Sequence, residues 1–174
     1  MRDFALETFG DKMAVLINNA GISNFKPFLT LTPQEYENVV KVDYIGTLNC
    51  CHVLGPIMIK QNSGVVITIA STAAFRPSPH ADYCGAKGAQ VAFNRALATE
   101  WGKYNIRCNV IAPGYIQTEG TEVLGPQVLE MVKAQSPMKV VGHIRDMQQA
   151  LTYLLRAENM TGATISPNCG VFMF

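Results

Sequence analysis

Apolar residues along this chain fall into short unbroken runs and longer stretches with helical spacing. Met13 to Asn18 (MAVLIN) is apolar up to its last residue and leads into Asn-Asn-Ala-Gly, which predicts a strand buried on both faces. Thr32-Pro33-Gln34-Glu35 then predicts a helix start. Thr32 can cap, Pro33 suits the first helical position, and Glu35 completes a capping box. That helix should run to about Gln61, with a bend near Gly55-Pro56. Val65 to Ala70 reads as a second buried strand. Tyr83 to Tyr104 reads as a long helix, with Ala86, Phe93, Leu97 and Trp101 recurring on one face. Arg107 to Ala112 is a third strand, stopped by Pro113-Gly114. A loop with short helices occupies about 115 to 144. Arg145 to Ala157 is a helix with Met147, Ala150, Leu151, Leu154 and Leu155 on one face, and Thr164 to Pro167 is a fourth short strand.

Strands alternating with helices of this length predict an α/β fold with a parallel sheet and right-handed crossovers. Such a sheet receives ligands beyond the carboxyl ends of its strands. Asn18 and Asn19, Ser71 and Thr72, and Gln117 and Thr118 follow the first three strands and should share that edge. This makes the edge the candidate site.

Composition narrows the functional classes. The 174 residues suffice for a single domain with its own core, spanning 1–174. A formal net charge of +1 gives no footprint for nucleic acid or an anionic membrane. The longest apolar runs, such as Gly64 to Ala74, are too short to span a bilayer. No signal peptide opens the chain, and its end carries no peroxisomal or prenylation motif, so no membrane partner is expected. The five cysteines are odd in number and form no C-x-x-C pair. They read as small buried hydrophobes in an intracellular, reducing compartment, without a metal site. His52, His80 and His143 are scattered and read as surface or packing residues.

Tyr83 and Lys87 stand four apart at a helix start and project from the same face. An ammonium beside a phenol favours the phenolate, so the pair predicts an acid/base tyrosine with a lowered pKa. The bland alternative is a Tyr/Lys pair on a solvated helix face.

The order of motifs is more specific. Asn18-Asn19-Ala20-Gly21, a strand leading to Ser71, Tyr83-x-x-x-Lys87, and Asn109 followed by Pro113-Gly114 resemble the short-chain dehydrogenase/reductase family over about residues 4 to 170. The resemblance implies a three-layer, Rossmann-type parallel-sheet domain and an oxidoreductase using NADP or NAD. Tyr83 would then be the proton donor or acceptor. Lys87 would hold the nicotinamide ribose, and Ser71 would orient the substrate oxygen. Pro113, Gly114, Ile116 and Thr118 would meet the nicotinamide, with Thr118 on its carboxamide. Asn19, Ala20 and Gly21 would line the adenosine side. Family members commonly pair through helices matching about 33–61 and 83–104, which implies a homodimer or homotetramer. Val53, Ile57, Met58 and Phe93 are candidates for that interface or for the core.

Three departures qualify the resemblance. Gly10 is the only glycine before Asn18, so no G-x-G-x-x-G loop exists here. By resemblance, the domain lacks its first βαβαβ portion, with its pyrophosphate site, and the apolar Asn-Asn-Ala-Gly strand becomes a sheet edge. Second, Asp43 stands in Lys41-Val42-Asp43-Tyr44-Ile45-Gly46-Thr47 where the family usually has asparagine. That acid looks like the peroxisomal 2,4-dienoyl-CoA reductase branch, where it would help protonate the substrate. Glu100 to Arg107, Ile116 to Gly120, and the spacing from Ser71 to Lys87 are similar to that branch. Tyr83 is not, because the branch usually lacks it. Third, Ser166-Pro167-Asn168-Cys169-Gly170 replaces the usual Val-Asp-Gly-Gly, with Asn168 able to bond a turn.

The expectation is therefore an NADPH-favouring, 2,4-dienoyl-CoA reductase-like enzyme acting on a small-molecule acyl-CoA. A carbonyl/alcohol dehydrogenase, with Tyr83 protonating a ketone oxygen beside Ser71, is the first alternative. A non-catalytic dimerising chain is the second.

Overall fold

A computed structural model describes residues 2–10, 12–122 and 125–173. Four parallel strands form one sheet in the order β1 (Val15–Asn18), β2 (Gly64–Ile69), β3 (Ile106–Ile111) and β6 (Thr164–Ile165). Of the helices α1 (Arg2–Phe9), α2 (Pro33–Gln61), α3 (Ala81–Trp101), α4 (Glu119–Glu122), α5 (Pro126–Gln135) and α6 (Ile144–Arg156), α2 and α3 cover one face of the sheet and α6 covers the other. The period-2 alternation of strands builds both interfaces. Val66 and Cys108 pack under Cys51, Met58, Leu97 and Ala98. Ile67 and Ile111 turn the other way and meet Leu154, Met147 and Leu151. Each fully buried aliphatic side chain contributes about 1.5–3 kcal/mol.

Local signals set several boundaries. Thr32 and Glu35 form the expected capping box, with Pro33 at the first helical position. Asn62 and Asn105 close the two helical segments in left-handed conformation (φ 53° and 54°), which asparagine tolerates, and each hands the chain to a strand. Arg107 reaches from β3 to the end of α6, donating to the carbonyls of Leu154 at 2.7 Å and Leu155 at 3.1 Å. It satisfies orphan carbonyls with a cation where the helix dipole favours one. Buried Asn109 donates to Met160 O at 2.7 Å and accepts from Ala163 N at 3.1 Å, fastening the segment that leads to β6.

Several expectations need correction. α2 holds Pro56 in its interior and carries an irregularity that the pattern does not predict, a π-turn at Val40–Ile45. The carbonyl of Asp43 there receives the Thr47 hydroxyl at 2.7 Å and the Gln90 amide at 2.7 Å. β1 is not buried on both faces: Val15 and Ile17 are 37% and 43% exposed, because α6 packs on β2 and β3 and does not cover β1. Its outer edge is unpaired among the described residues. Leu155 points outward from α6. Ile57 and Met58 belong to the core of this chain, leaving Val53 and Phe93 half-buried. Only Cys51 and Cys108 are buried; Cys50, Cys84 and Cys169 are partly exposed. The 29-residue α2 is also long and apolar enough to meet the bare criterion for crossing a membrane, which a count of unbroken apolar runs does not detect. Its buried residues pack on the sheet.

Candidate active site

Because β1, β2 and β3 run parallel, their carboxyl ends coincide, and Asn18 pairs with Thr68 and Thr68 with Val110 along one line. The loops beyond are bonded together. Thr72 N donates to Pro113 O at 2.9 Å, and Gly114 N to Pro167 O at 3.1 Å. Gly114 approaches the chain so closely that a Cβ would sit 3.0 Å from Asn168 Cα. Asn168 holds its own turn, accepting from Gly170 N at 2.8 Å and donating to Ser166 Oγ at 2.7 Å. The start of α3 stands over this edge and carries Tyr83 and Lys87.

Lys87 and Asp43 form the buried centre, 3% and 0% exposed. Lys87 Nζ lies 3.1 Å from Asp43 Oδ2 and donates to Ile69 O at 3.0 Å. Asp43 Oδ1 accepts from Ile22 N at 2.8 Å. Gly21 permits this packing: a Cβ there would lie 3.0 Å from Asp43 Oδ2 and 3.1 Å from Lys87 Nζ. Asp43 is thus no helix-surface carboxylate.

Tyr83 is half-buried and lines a cavity that Ser71 also faces. Ser71 Oγ is itself positioned by Ala73 N at 3.1 Å. The ammonium of Lys87 stands 5.4 Å from the Tyr83 ring centroid. The expected lowering of the Tyr83 pKa is not found. Burial raises it first, the Ser71 hydrogen bond lowers it, and the negative charge of Asp43 raises it further. Lys87 is itself held below its ordinary value, chiefly by burial, with Asp43 opposing. The pairing with Asp43 offsets the cation that was to favour the phenolate.

A cavity of ≈ 200 Å³ opens beside these hydroxyls. Ser71, Tyr83 and Gly114 line it, as expected, together with Arg76, His80 and Tyr115. Sequence reading missed the last three. Arg76 and His80 sit in an irregular loop with no periodicity to mark them; His80 packs edge-on against Phe25, with ring centroids 5.0 Å apart, and its Nδ1 also pairs with Ser78 Oγ at 3.0 Å beside the cavity. The other predicted residues lie elsewhere on the edge. Asn19 and Ala20 line a separate ≈ 120 Å³ recess with Val42 and Thr47. Ile116 starts β4 (Ile116–Gln117), which pairs with β5 (Gly142–His143) and pins the loop after Pro113. Thr118 is tied to Thr121, whose hydroxyl receives Thr118 N at 2.8 Å.

A family model described as enoyl-(acyl carrier protein) reductase matches residues 1–171. The chain belongs to the short-chain dehydrogenase/reductase family, whose Rossmann-like sheet it shares. Among its relatives, a 3-oxoacyl-(acyl-carrier-protein) reductase of Staphylococcus aureus is 30% identical over 162 residues, 91% of this chain and 66% of the relative. The short-chain reductase protein NovJ of Streptomyces niveus is 33% identical over 175 residues, with 95% and 66% covered. A crystal structure of a 3-oxoacyl-(acyl-carrier protein) reductase with bound NAD from Brucella melitensis superposes with a TM-score of 0.90 at 28% identity, covering 100% of this chain and 69% of that one. The chain spans 66% of the length of these curated relatives.

Proposed function

We propose that this chain supplies the substrate and nicotinamide side of an NAD(P)H-dependent carbonyl reductase, running in reverse as an alcohol dehydrogenase. The observation that carries this reading is the placement of two hydroxyl residues, Tyr83 and Ser71, on the wall of one cavity, with Lys87 a helical turn further along the same helix. Ser71 fixes the carbonyl oxygen, and Tyr83 gives it a proton. A bound reduced nicotinamide supplies the hydride to the carbonyl carbon, leaving an alcohol and the oxidised coenzyme. The relatives named as 3-oxoacyl reductases support a carbonyl substrate.

The residues present fit one part of such a coenzyme. An ammonium has three N–H donors. Ile69 O accepts one from Lys87, and Asp43 Oδ2 lies 3.1 Å away as its ion-pair partner; a ribose hydroxyl would have to reach the remaining donors of this buried ammonium. Gly114 and the pinned loop to Thr118 flank the same edge. No glycines in this chain have the spacing that cradles a pyrophosphate. NADPH remains the favoured coenzyme by resemblance.

A dienoyl-CoA reductase is the second reading, favoured by the acid at position 43 lying 3.1 Å from Lys87. Asp43 does not line the Tyr83 cavity, so the carbonyl reading stands first.

Titration with NADPH and NADH, followed by nucleotide fluorescence and melting temperature, tests the reading. Saturable binding, followed by alcohol formation from a 3-oxoacyl thioester, supports it. A carbon–carbon double bond reduced in a dienoyl-CoA, with ketones untouched, transfers it to the second reading. A folded protein that binds neither nucleotide sinks both.

A further inference from the structure

Arg76 stands in the wall of the ≈ 200 Å³ cavity with Ser71 and Tyr83, and among the described residues no Asp or Glu lines that cavity. Among the described residues, no carboxylate pairs with its guanidinium, although four other cations in the chain are paired. Its position is set in advance. Arg76 N donates to Thr72 O at 3.0 Å, and Phe75 before it stacks on Phe172 with ring centroids 6.1 Å apart. Pro77 follows and restricts the backbone further. An arginine guanidinium is permanently cationic and carries five N–H donors in a fork that matches a carboxylate. It is half-buried in a recess that no acid lines among the described residues, which suits it to receive an anion.

Resting on the reading of this cavity as the substrate site, we infer that Arg76 receives an anionic group of the substrate, the carboxylate of a small oxo acid or of the matching hydroxy acid. A phosphate of an acyl carrier has the same chemistry. The cavity size decides for the small acid, because ≈ 200 Å³ lies below the roughly 300–1,000 Å³ of pockets that enclose larger ligands. Such a molecule places its carbonyl at Ser71 and Tyr83 and its carboxylate at Arg76 within one enclosure.

The test is a saturation-transfer NMR titration with 3-oxobutanoate and its neutral isostere 3-oxobutanamide. Wild type, Arg76→Gln and Arg76→Lys are compared, with melting curves to establish that each is folded. The acid is expected to bind roughly ten- to hundredfold more tightly than the amide. Arg76→Gln should erase that preference, and Arg76→Lys should keep part of it. Equal binding of acid and amide by wild type, binding of neither, or a preference that survives Arg76→Gln overturns the inference. Acetoacetyl-CoA distinguishes the source of the anion. If its binding alone weakens in Arg76→Gln, the anion is the carrier's phosphate and the small-acid assignment falls. Turnover with NADH or NADPH is scored separately. Arg76-dependent binding of the acid without nucleotide-dependent turnover would remove the reductase reading and leave the anion site standing.

Discussion

Asp43 Oδ2 lies 3.1 Å from Lys87 Nζ, and both side chains are sealed from solvent. Each makes the other tolerable there, because a buried charge without a partner carries a large desolvation cost. Asp43→Asn removes the carboxylate charge and leaves the ammonium uncompensated. The variant should lose about 3–5 kcal/mol of stability, read from urea unfolding.

The same substitution should move the pH profile. Under the proposed function Tyr83 acts as the phenol in the reductive direction, so the rate should fall as pH rises through its pKa. Burial and then the charge of Asp43 raise that pKa. Removing the charge removes one of these influences, so the alkaline limb of kcat should appear at lower pH in Asp43→Asn than in wild type. A limb that stays in place would show that Asp43 does not act on Tyr83.

Tyr83→Phe should lower kcat by roughly 10²–10⁴-fold while keeping the fold, since only the hydroxyl is lost. Ser71→Ala should weaken the reaction as well and unfasten Ala73 N, which Ser71 Oγ now receives at 3.1 Å. Initial rates and melting curves on the two variants check both effects.

The start of α2 should be acid-sensitive. Lys26 and Thr32 hold the Glu35 carboxyl down at about 2 from an ordinary 4.5. A depressed carboxylate stabilises the fold above its unfolded pKa, and that contribution disappears as pH falls through the folded value. The melting temperature should therefore decline between about pH 4.5 and 2, and less so in Glu35→Gln.

Thiol reagents should discriminate among the cysteines. Burial pushes the Cys51 and Cys108 thiols up to about 11 and about 12. The thiolate is the nucleophile, so these two should stay unlabelled at neutral pH until the protein unfolds. Partly exposed Cys50 and Cys84 should label first, as peptide mass mapping would show.

Gly55 faces Trp101, and a Cβ there would lie 2.5 Å from the indole Cη2. Gly55→Ala should cost about 1–3 kcal/mol in chemical unfolding, the usual effect of overpacking.

What the sequence shows plainly is whatever neighbouring residues decide among themselves. The Thr32–Glu35 cap, the parallel strands and the shared edge follow from short-range pattern and chain topology, and all are present. What it hides depends on residues far apart. Lys87, the helix neighbour of Tyr83, does not decide its pKa: burial raises it first, and the charge of Asp43, 40 positions earlier, raises it further. Asp43 is singled out in the sequence only by resemblance, and its burial against Lys87 and Ile22 N is not legible there. Arg76 and His80 reach the cavity from an irregular loop, where nothing periodic distinguishes a lining residue from a solvated one.

The π-turn at Val40–Ile45 acts as a gear tooth in α2. It inserts one residue into the winding, and each residue advances an α-helix by about 100°. The segment after the turn is therefore out of phase with the segment before it. That offset lets Val39 and then Cys51, Leu54 and Met58 all reach the interior, with Asp43 delivered beside Lys87 between them. Deleting a single residue in this turn would re-wind the helix and rotate its whole distal half away from the sheet, so the length of this stretch is under tighter constraint than the identity of most residues in it.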